Sequence, residues 1–397
     1  MGIGIYIHFP YCVSKCGYCD FSSFGKEKWP KNFDGYISEL LTEAKLYESG
    51  EGIVILKILA NYKTIEFKGF KAGIIDTVYF GGGTPSLIPE ELVVKLLDFF
   101  KPYLKDDAEI TMECNPGTVD YEKLLSLKRS GINRLSIGLQ AAQDKILKKL
   151  GRIHSFSDFE NTIEWAKKAG FENISADIMF GLPDQSLRDW KDTIEAVIKS
   201  EVSHISAYGL KIEEDTAFDR LIIEGVLILP EVELERLMYH KACEIFESHG
   251  YIQYEISNFA KKGMESKHNL NYWKSGDYIG LGLNSHSKLG DVRFWNYSEM
   301  IDYEDKIKQN LLAVEGFEIL DLEEKVFERL ILSLRLNEGL SIEKFKMEFG
   351  IDQYLIIEPI VDKNVKKGFL EIIGGVLKFT KEGRDLSNQV YIDFIRD

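Results

Sequence analysis

The chain has 397 residues, 45% of them hydrophobic and 28% charged, which suits one large core with a smaller second one and excludes a disordered chain. Its 64 acidic residues outnumber 49 basic ones for a formal net charge of -15, which argues against a nucleic-acid partner. The best apolar stretch, GIVILKILA, falls short of the ~20 residues that span a bilayer and carries Lys57, and no signal-peptide flanks precede the first strand, so the expected location is the cytoplasm.

From Ile3 to about Leu210, strand-like runs alternate with longer helix-like ones. The expected strands are IGIYIHF, DTVYFGG, EITMEC, RLSIGLQ, NISADIMFG and HISAYGL. Between them, PEELVVKLLDFFKPYL, DYEKLLSLKRSG and FSDFENTIEWAKKAG carry apolar residues every third or fourth position, as amphipathic helices do. Such alternation predicts an α/β fold around a parallel sheet, either an open doubly wound sheet or a barrel. The chemistry past the strands favours a partial (β/α) barrel: GGGTP follows the second, ECNPGT the third and QAAQ the fourth, while Asp177 lies within the fifth. In β/α barrels such groups converge on the C-terminal mouth of the strands.

Residues 46–75, rich in Gly, Lys and Ile, are expected to be an insertion with a small hairpin and no assigned role. After about residue 230 come a long helix, EVELERLMYHKACEIFESHG, and a loop-rich aromatic segment. From about Leu320, short helices and a final GFLEIIGGVLKFT hairpin predict a small helix-rich, winged-helix-like C-terminal domain. The expected division is a core domain over 1–235, a connecting segment over 236–310 and a C-terminal domain over 311–397.

Cys12, Cys16 and Cys19 fall within eight residues, spaced Cys-x-x-x-Cys-x-x-Cys. Clustered cysteines in a reducing compartment point to metal or redox work rather than disulfides. A 4Fe-4S cube normally takes four thiolates, so three leave one iron open, as at a site where substrate binds. The alternative is zinc, which favours Cys-x-x-Cys pairs and a clear fourth ligand; no second pair exists here. Cys114 and Cys243, distant in sequence, read as small buried hydrophobes.

YFGGGTPS places three glycines after a strand, where backbone can approach a ligand; a plain structural turn is the alternative. Glu113 and Asp177 suit hydrogen bonds from an amino group and ribose hydroxyls, and Gln140 and Arg152 offer polar reach and a charge for a carboxylate. Taken singly, each is more often a surface or structural residue.

The cysteine loop, with Tyr18 preceding Cys19, resembles the signature of the radical S-adenosylmethionine superfamily, whose members cleave that cofactor with a reduced cluster. Within it, YIHFPYC, YFGGGTPS, ECNPGT, RLSIGLQ, LGRIHS, DIMFGLP and YEISNFA resemble the oxygen-independent coproporphyrinogen III oxidases and their heme-chaperone relatives over nearly the whole chain. The resemblance implies a 4Fe-4S cluster on Cys12, Cys16 and Cys19. It implies S-adenosylmethionine contacts from Tyr6, Gly82, Gly83, Thr84, Glu113, Gln140, Arg152 and Asp177. Gly209 follows Tyr208 where the oxidase often has Ala, a change expected to leave the pocket intact.

Three features separate oxidase from chaperone. Cys19 is followed by Asp20-Phe21, as in the chaperones, where the oxidase loop continues Cys-x-Cys. The chain begins just before its first strand, without the arm that covers the oxidase site. KHNLNYW resembles the His-Asn-x-x-Tyr-Trp motif of the chaperones, which implies that His268, Asn269, Tyr272 and Trp273 bind heme. A neutral imidazole is a standard axial ligand and aromatics can lie against a porphyrin, although a single His beside aromatics is more often packed or hydrogen-bonded. His286 is a second candidate, and His8, on the first strand beside the cysteine loop, reads as structural or as a support behind the cluster ligands. The resemblance thus favours a chaperone that passes heme to apo-proteins, with a flavodoxin- or ferredoxin-type electron donor and transient membrane contact. The alternative is the oxidase, which decarboxylates coproporphyrinogen III.

Overall fold

The computed structural model describes residues 2–29, 32–50 and 67–395. The hairpin expected within 46–75 lies mostly outside them. At its edges, residues up to Ser49 finish a helix begun at Phe33, and Ile75 opens a strand.

Six strands, β1 (Ile3–Phe9), β2 (Ile75–Gly82), β3 (Leu104–Cys114), β4 (Arg134–Gln140), β5 (Asn173–Phe180) and β6 (His204–Gly209), run parallel in sequence order. They coincide with the six runs expected from the sequence. Parallel neighbours require crossovers, and helices such as Glu90–Phe100, Tyr121–Ser130, Phe156–Lys168 and Leu187–Lys199 supply them. Ser155 with Asp158, and Ser186 with Asp189, form capping boxes that satisfy the first N–H groups of the last two.

Strand alternation divides the inner chemistry from the outer packing. Ile5, Ile7, Phe9, Val78, Phe80, Met112, Ile137 and Ile178 pack into the main core, each side chain contributing about 1.5–3 kcal/mol by leaving water. On the other face, Tyr6 stacks on Tyr79, Tyr79 donates to Glu113, and Ser136 donates to Asp177. The interior of the curved sheet is therefore polar and aromatic.

The sheet does not close. β1 pairs on its second edge with β9 (Tyr278–Leu281), in parallel. From there β10 (His286–Leu289), β11 (Val292–Asn296) and β12 (Val314–Ile319) continue antiparallel. Beyond β6 lie the short antiparallel strands β8 (Asn258–Ala260) and β7 (Ile252–Gln253), completing, among the described residues, an open sheet of 12 strands. The helix Val232–Ser248 runs unbroken across the expected 235/236 division, and β12 carries the sheet past 310.

A separate core from Val326 to Phe394 joins helices to a three-stranded sheet of β13 (Leu340–Ser341), β14 (Leu370–Ile373) and β15 (Val376–Phe379), the last two forming the expected wing. It is tied to the rest by Arg335, whose Nε lies 2.7 Å from the buried Glu255 carboxylate and whose guanidinium covers the Trp273 ring at 4.2 Å. No helix among the described residues is long and apolar enough to cross a membrane.

Candidate functional site

The cysteine loop leaves the C-terminal end of β1, and the glycine loop leaves β2 beside it. Gly83 N–H donates to the Phe9 carbonyl and Thr84 N–H to the Tyr11 carbonyl, each at 2.7 Å, so the two loops are zipped together. A side chain at Gly83 would meet the Tyr11 carbonyl at 2.6 Å, and one at Gly82, whose φ is +107°, would strike the His8 ring at 2.7 Å. The glycines thus permit close approach of loop to loop. Thr84 Oγ1 reaches Cys12 Sγ at 3.5 Å, and Trp29 Nε1 donates to the Cys12 carbonyl at 3.0 Å.

All three clustered cysteines line a cavity of about 390 Å³ at the mouth of the sheet. Among the described residues, no three His, Cys, Asp or Glu side chains close round a single metal ion. Three cysteines lining one cavity are the sulfur donors that a cluster would need. Burial pushes the Cys12 thiol up and the Cys19 thiol to about 11. Cys114, on the same cavity, is buried and pushed to about 12, as expected of an inert thiol.

The same cavity gathers Gly82, Gly83, Thr84, Glu113, Gln140, Arg152, Asp177 and Asn269, from four strands, two loops and one helix. Glu113 accepts from Tyr79 Oη at 2.9 Å, and burial raises its carboxyl to about 7. Asp177 accepts from Ser136 at 2.8 Å and Ser175 at 3.1 Å, and burial raises it too. Arg152 donates to Asn115 Oδ1 at 2.5 Å and to the Gly138 carbonyl at 2.8 Å, and its Nη1 lies 3.7 Å from Cys16 Sγ. Gln140 ends β4 at φ 70°, a left-handed conformation that is costly away from glycine and typical of functional sites. A carboxylate for an amine, a guanidinium for a carboxylate and acceptors for hydroxyls together suit a charged nucleoside bearing an amino acid.

Tyr6 is placed elsewhere. It lines a second cavity of about 580 Å³ beside the first, with His8, Tyr272, Trp273 and His286. Phe21, two residues after Cys19, belongs to both. His8 Nε2 donates to the Ser22 carbonyl at 2.7 Å, which leaves Nδ1 to accept from Tyr6 Oη at 3.1 Å, and burial lowers its pKa to about 4. His8 thus ties the first strand to the cysteine loop while also lining the second cavity.

His268 lines neither cavity. It is 1% exposed on the short helix Lys267–Trp273, with Nδ1 2.7 Å from Thr77 Oγ1, Nε2 2.8 Å from Tyr272 Oη, and its ring stacked on Tyr79 at 4.9 Å. Burial lowers its pKa to about 3, so the ring is neutral. The helix is pinned from below by Glu109 on β3, which accepts from the N–H groups of Lys267 at 2.9 Å and His268 at 3.1 Å, where its negative charge complements the positive end of the helix. The segment therefore splits: Asn269 faces the cysteine cavity, Tyr272 and Trp273 face the second one, and His268 is locked between them.

The sequence reading passed over Tyr79, Asn115, Arg134 and Ser136, all on the first cavity. Arg134 is 1% exposed with a buried Nε that no hydrogen bond reaches. Inward alternation along β2 and β4 was the signal available for three of them, since Tyr79 shares its phase with Gly81, and Arg134 and Ser136 share theirs with Gly138.

The radical SAM superfamily model matches residues 6–197, and the HemN C-terminal domain model matches residues 320–386. The chain is 35% identical to the heme chaperone HemW of Bacillus subtilis (strain 168), over 98% of both chains. It is 31% identical to the heme chaperone HemW of Escherichia coli (strain K12), over 100% of this chain and 98% of that one. Among solved structures it is similar to coproporphyrinogen III oxidase (HemN) from Escherichia coli, a radical SAM enzyme, with a TM-score of 0.81 and 18% identity over 99% of this chain and 90% of that one. That likeness shows a shared fold. The matching models and full-length kinship place the chain in the radical SAM superfamily and, within it, in the family of the heme chaperone HemW proteins.

Proposed function

We propose that this protein is a heme chaperone, which binds heme in the cavity walled by Tyr272 and Trp273 and passes it to apo-proteins. Membership of the radical SAM superfamily implies a 4Fe-4S cluster and S-adenosylmethionine, and the first cavity fits both. In this reading Cys12, Cys16 and Cys19 would hold the cluster, with Thr84 reaching Cys12 and Arg152 reaching Cys16, and the reduced cluster would supply one-electron chemistry to the bound cofactor. Glu113 binds the cofactor's amino group, Arg152 and Gln140 its carboxylate side, Asp177 its ribose, and Gly82 and Gly83 fix the loop against which it lies. Tyr6 acts from behind, through its stack on Tyr79.

The observation that carries the heme reading is the second cavity. Its volume of about 580 Å³ suits a large flat ligand, its walls are aromatic, and it abuts the cysteine loop through Phe21. Tyr272 and Trp273 present those walls, and His268 holds Tyr272 in place. Action in the cytoplasm belongs to this reading. A flavodoxin- or ferredoxin-type protein is the electron donor in this scheme, because such a cluster is reduced only at low potential. Delivery to acceptors at a membrane calls for transient surface contact.

The test incubates anaerobically reconstituted protein with reductant, S-adenosylmethionine and coproporphyrinogen III, and separately with heme followed by a heme-free b-type haemoprotein. Saturable heme binding, transfer to the acceptor and no protoporphyrinogen are expected. Protoporphyrinogen formation would reassign the chain to the oxidases.

A further inference from the structure

The second cavity contains an imidazole that the His-Asn-x-x-Tyr-Trp segment does not supply. Among the described residues, His286 is the one histidine whose ring makes no hydrogen bond. His8, His154, His204, His240, His249 and His268 each engage at least one ring nitrogen. His286 is exposed at the start of β10 and lines the cavity together with Tyr272 and Trp273.

Its surroundings fix the ring without using its nitrogens. Register pairs His286 with Trp295 on β11, and the two rings stack at 5.9 Å and 27°. The indole itself lies over Gly316 of β12, where a Cβ would come within 2.5 Å of it. Along the same face, Lys288 and Arg293 bring two cations to the cavity, both anchored by Glu328 of the helix Leu322–Arg335. A positioned imidazole with both nitrogens open, set among aromatic walls, is the donor an iron porphyrin needs, while Lys288 and Arg293 are already paired with Glu328, and Arg293 with Glu318 as well. His268 offers none of this, because both of its nitrogens are occupied within the protein.

We propose that His286 is the residue that ligates the heme iron in this cavity, with His268 acting as a positioning residue behind Tyr272. This rests on the heme-chaperone reading. The test titrates the full-length, cluster-reconstituted protein with hemin, following the Soret band and the magnetic resonance signature of histidine ligation. In His286→Ala the dissociation constant is expected to rise at least tenfold and the histidine signature to disappear. Free imidazole added to that variant should restore the signature, which a purely structural role would not allow. His268→Ala is expected to keep histidine-type ligation.

A wild-type spectrum in His286→Ala overturns the assignment, as does a loss that imidazole fails to restore. Absence of saturable binding in the unmodified protein is a different failure: the chaperone reading falls, and this inference with it.

Discussion

The Tyr272 hydroxyl lies 2.8 Å from Nε2 of His268 and closes the ring nitrogen that Thr77, at 2.7 Å from Nδ1, leaves open. The two residues sit four apart on one helix, so they share a face. Tyr272→Phe leaves a buried imidazole nitrogen without a partner, which costs about 1–3 kcal/mol. Chemical denaturation should show a loss of that size, and an unchanged midpoint would mean that water takes the hydroxyl's place.

Replacing any of Cys12, Cys16 or Cys19 by Ala is expected to abolish iron and sulfide retention after anaerobic reconstitution. Cys114→Ala and Cys243→Ala should retain both, since one is a buried inert thiol and the other lies 4.0 Å from Gln253 Oε1, away from the cavity. Iron and sulfide analysis of the five variants decides the matter.

Gly83→Ala forces a methyl group against the Tyr11 and Phe9 carbonyls, both within 2.8 Å of the new Cβ. Backbone cannot rotate away as a side chain can, so the two loops must separate, at about 1–3 kcal/mol. S-adenosylmethionine affinity should fall at least tenfold in equilibrium binding, while the variant still folds.

Burial raises the Glu113 carboxyl to about 7, so it is largely protonated at pH 6 and largely ionised at pH 8. If it receives the cofactor's ammonium, binding strengthens as pH rises through 7 and weakens by up to about tenfold per unit below it. Calorimetry between pH 6 and 8 should show that slope in the wild type and its absence in Glu113→Gln. The same shift has an opposite consequence for stability. A carboxyl raised in the folded state contributes most below its unfolded value, and that contribution is lost as pH climbs through about 7.

Arg335→Ala removes the cation beside Glu255, which is 0% exposed, and uncovers Trp273. An unpaired buried carboxylate costs about 3–5 kcal/mol, reduced here because Arg335 itself is partly exposed. Limited proteolysis should release the C-terminal region faster in the variant, and Arg335→Lys should recover only part of the protection.

The parallel strands were legible because each joins an apolar run to polar chemistry at its end, and the cysteine loop because its spacing is local. What escaped the sequence was non-local. Glu43, in the helix Phe33–Ser49 that the sequence analysis does not anticipate, is fully buried and accepts from Gly282, Asn296 and Tyr303. The strands β9 to β12 are short pieces of a loop-rich stretch that become a sheet only by pairing onto β1. The sequence likewise offers a hydrogen-bonded ring as one reading of His268, but it cannot name the partner, because Thr77 lies 191 positions away.

The pairing of β1 with β9 has a consequence for synthesis. Gly4 waits for Tyr278, so one margin of the first strand stays bare while most of the chain emerges from the ribosome. Bare margins invite association with other chains, and distant pairing is slow. The segment that completes the sheet follows directly on the heme-family motif, so a nascent chain truncated before it would keep its cysteine loop but leave the strand that carries it unzipped on one side.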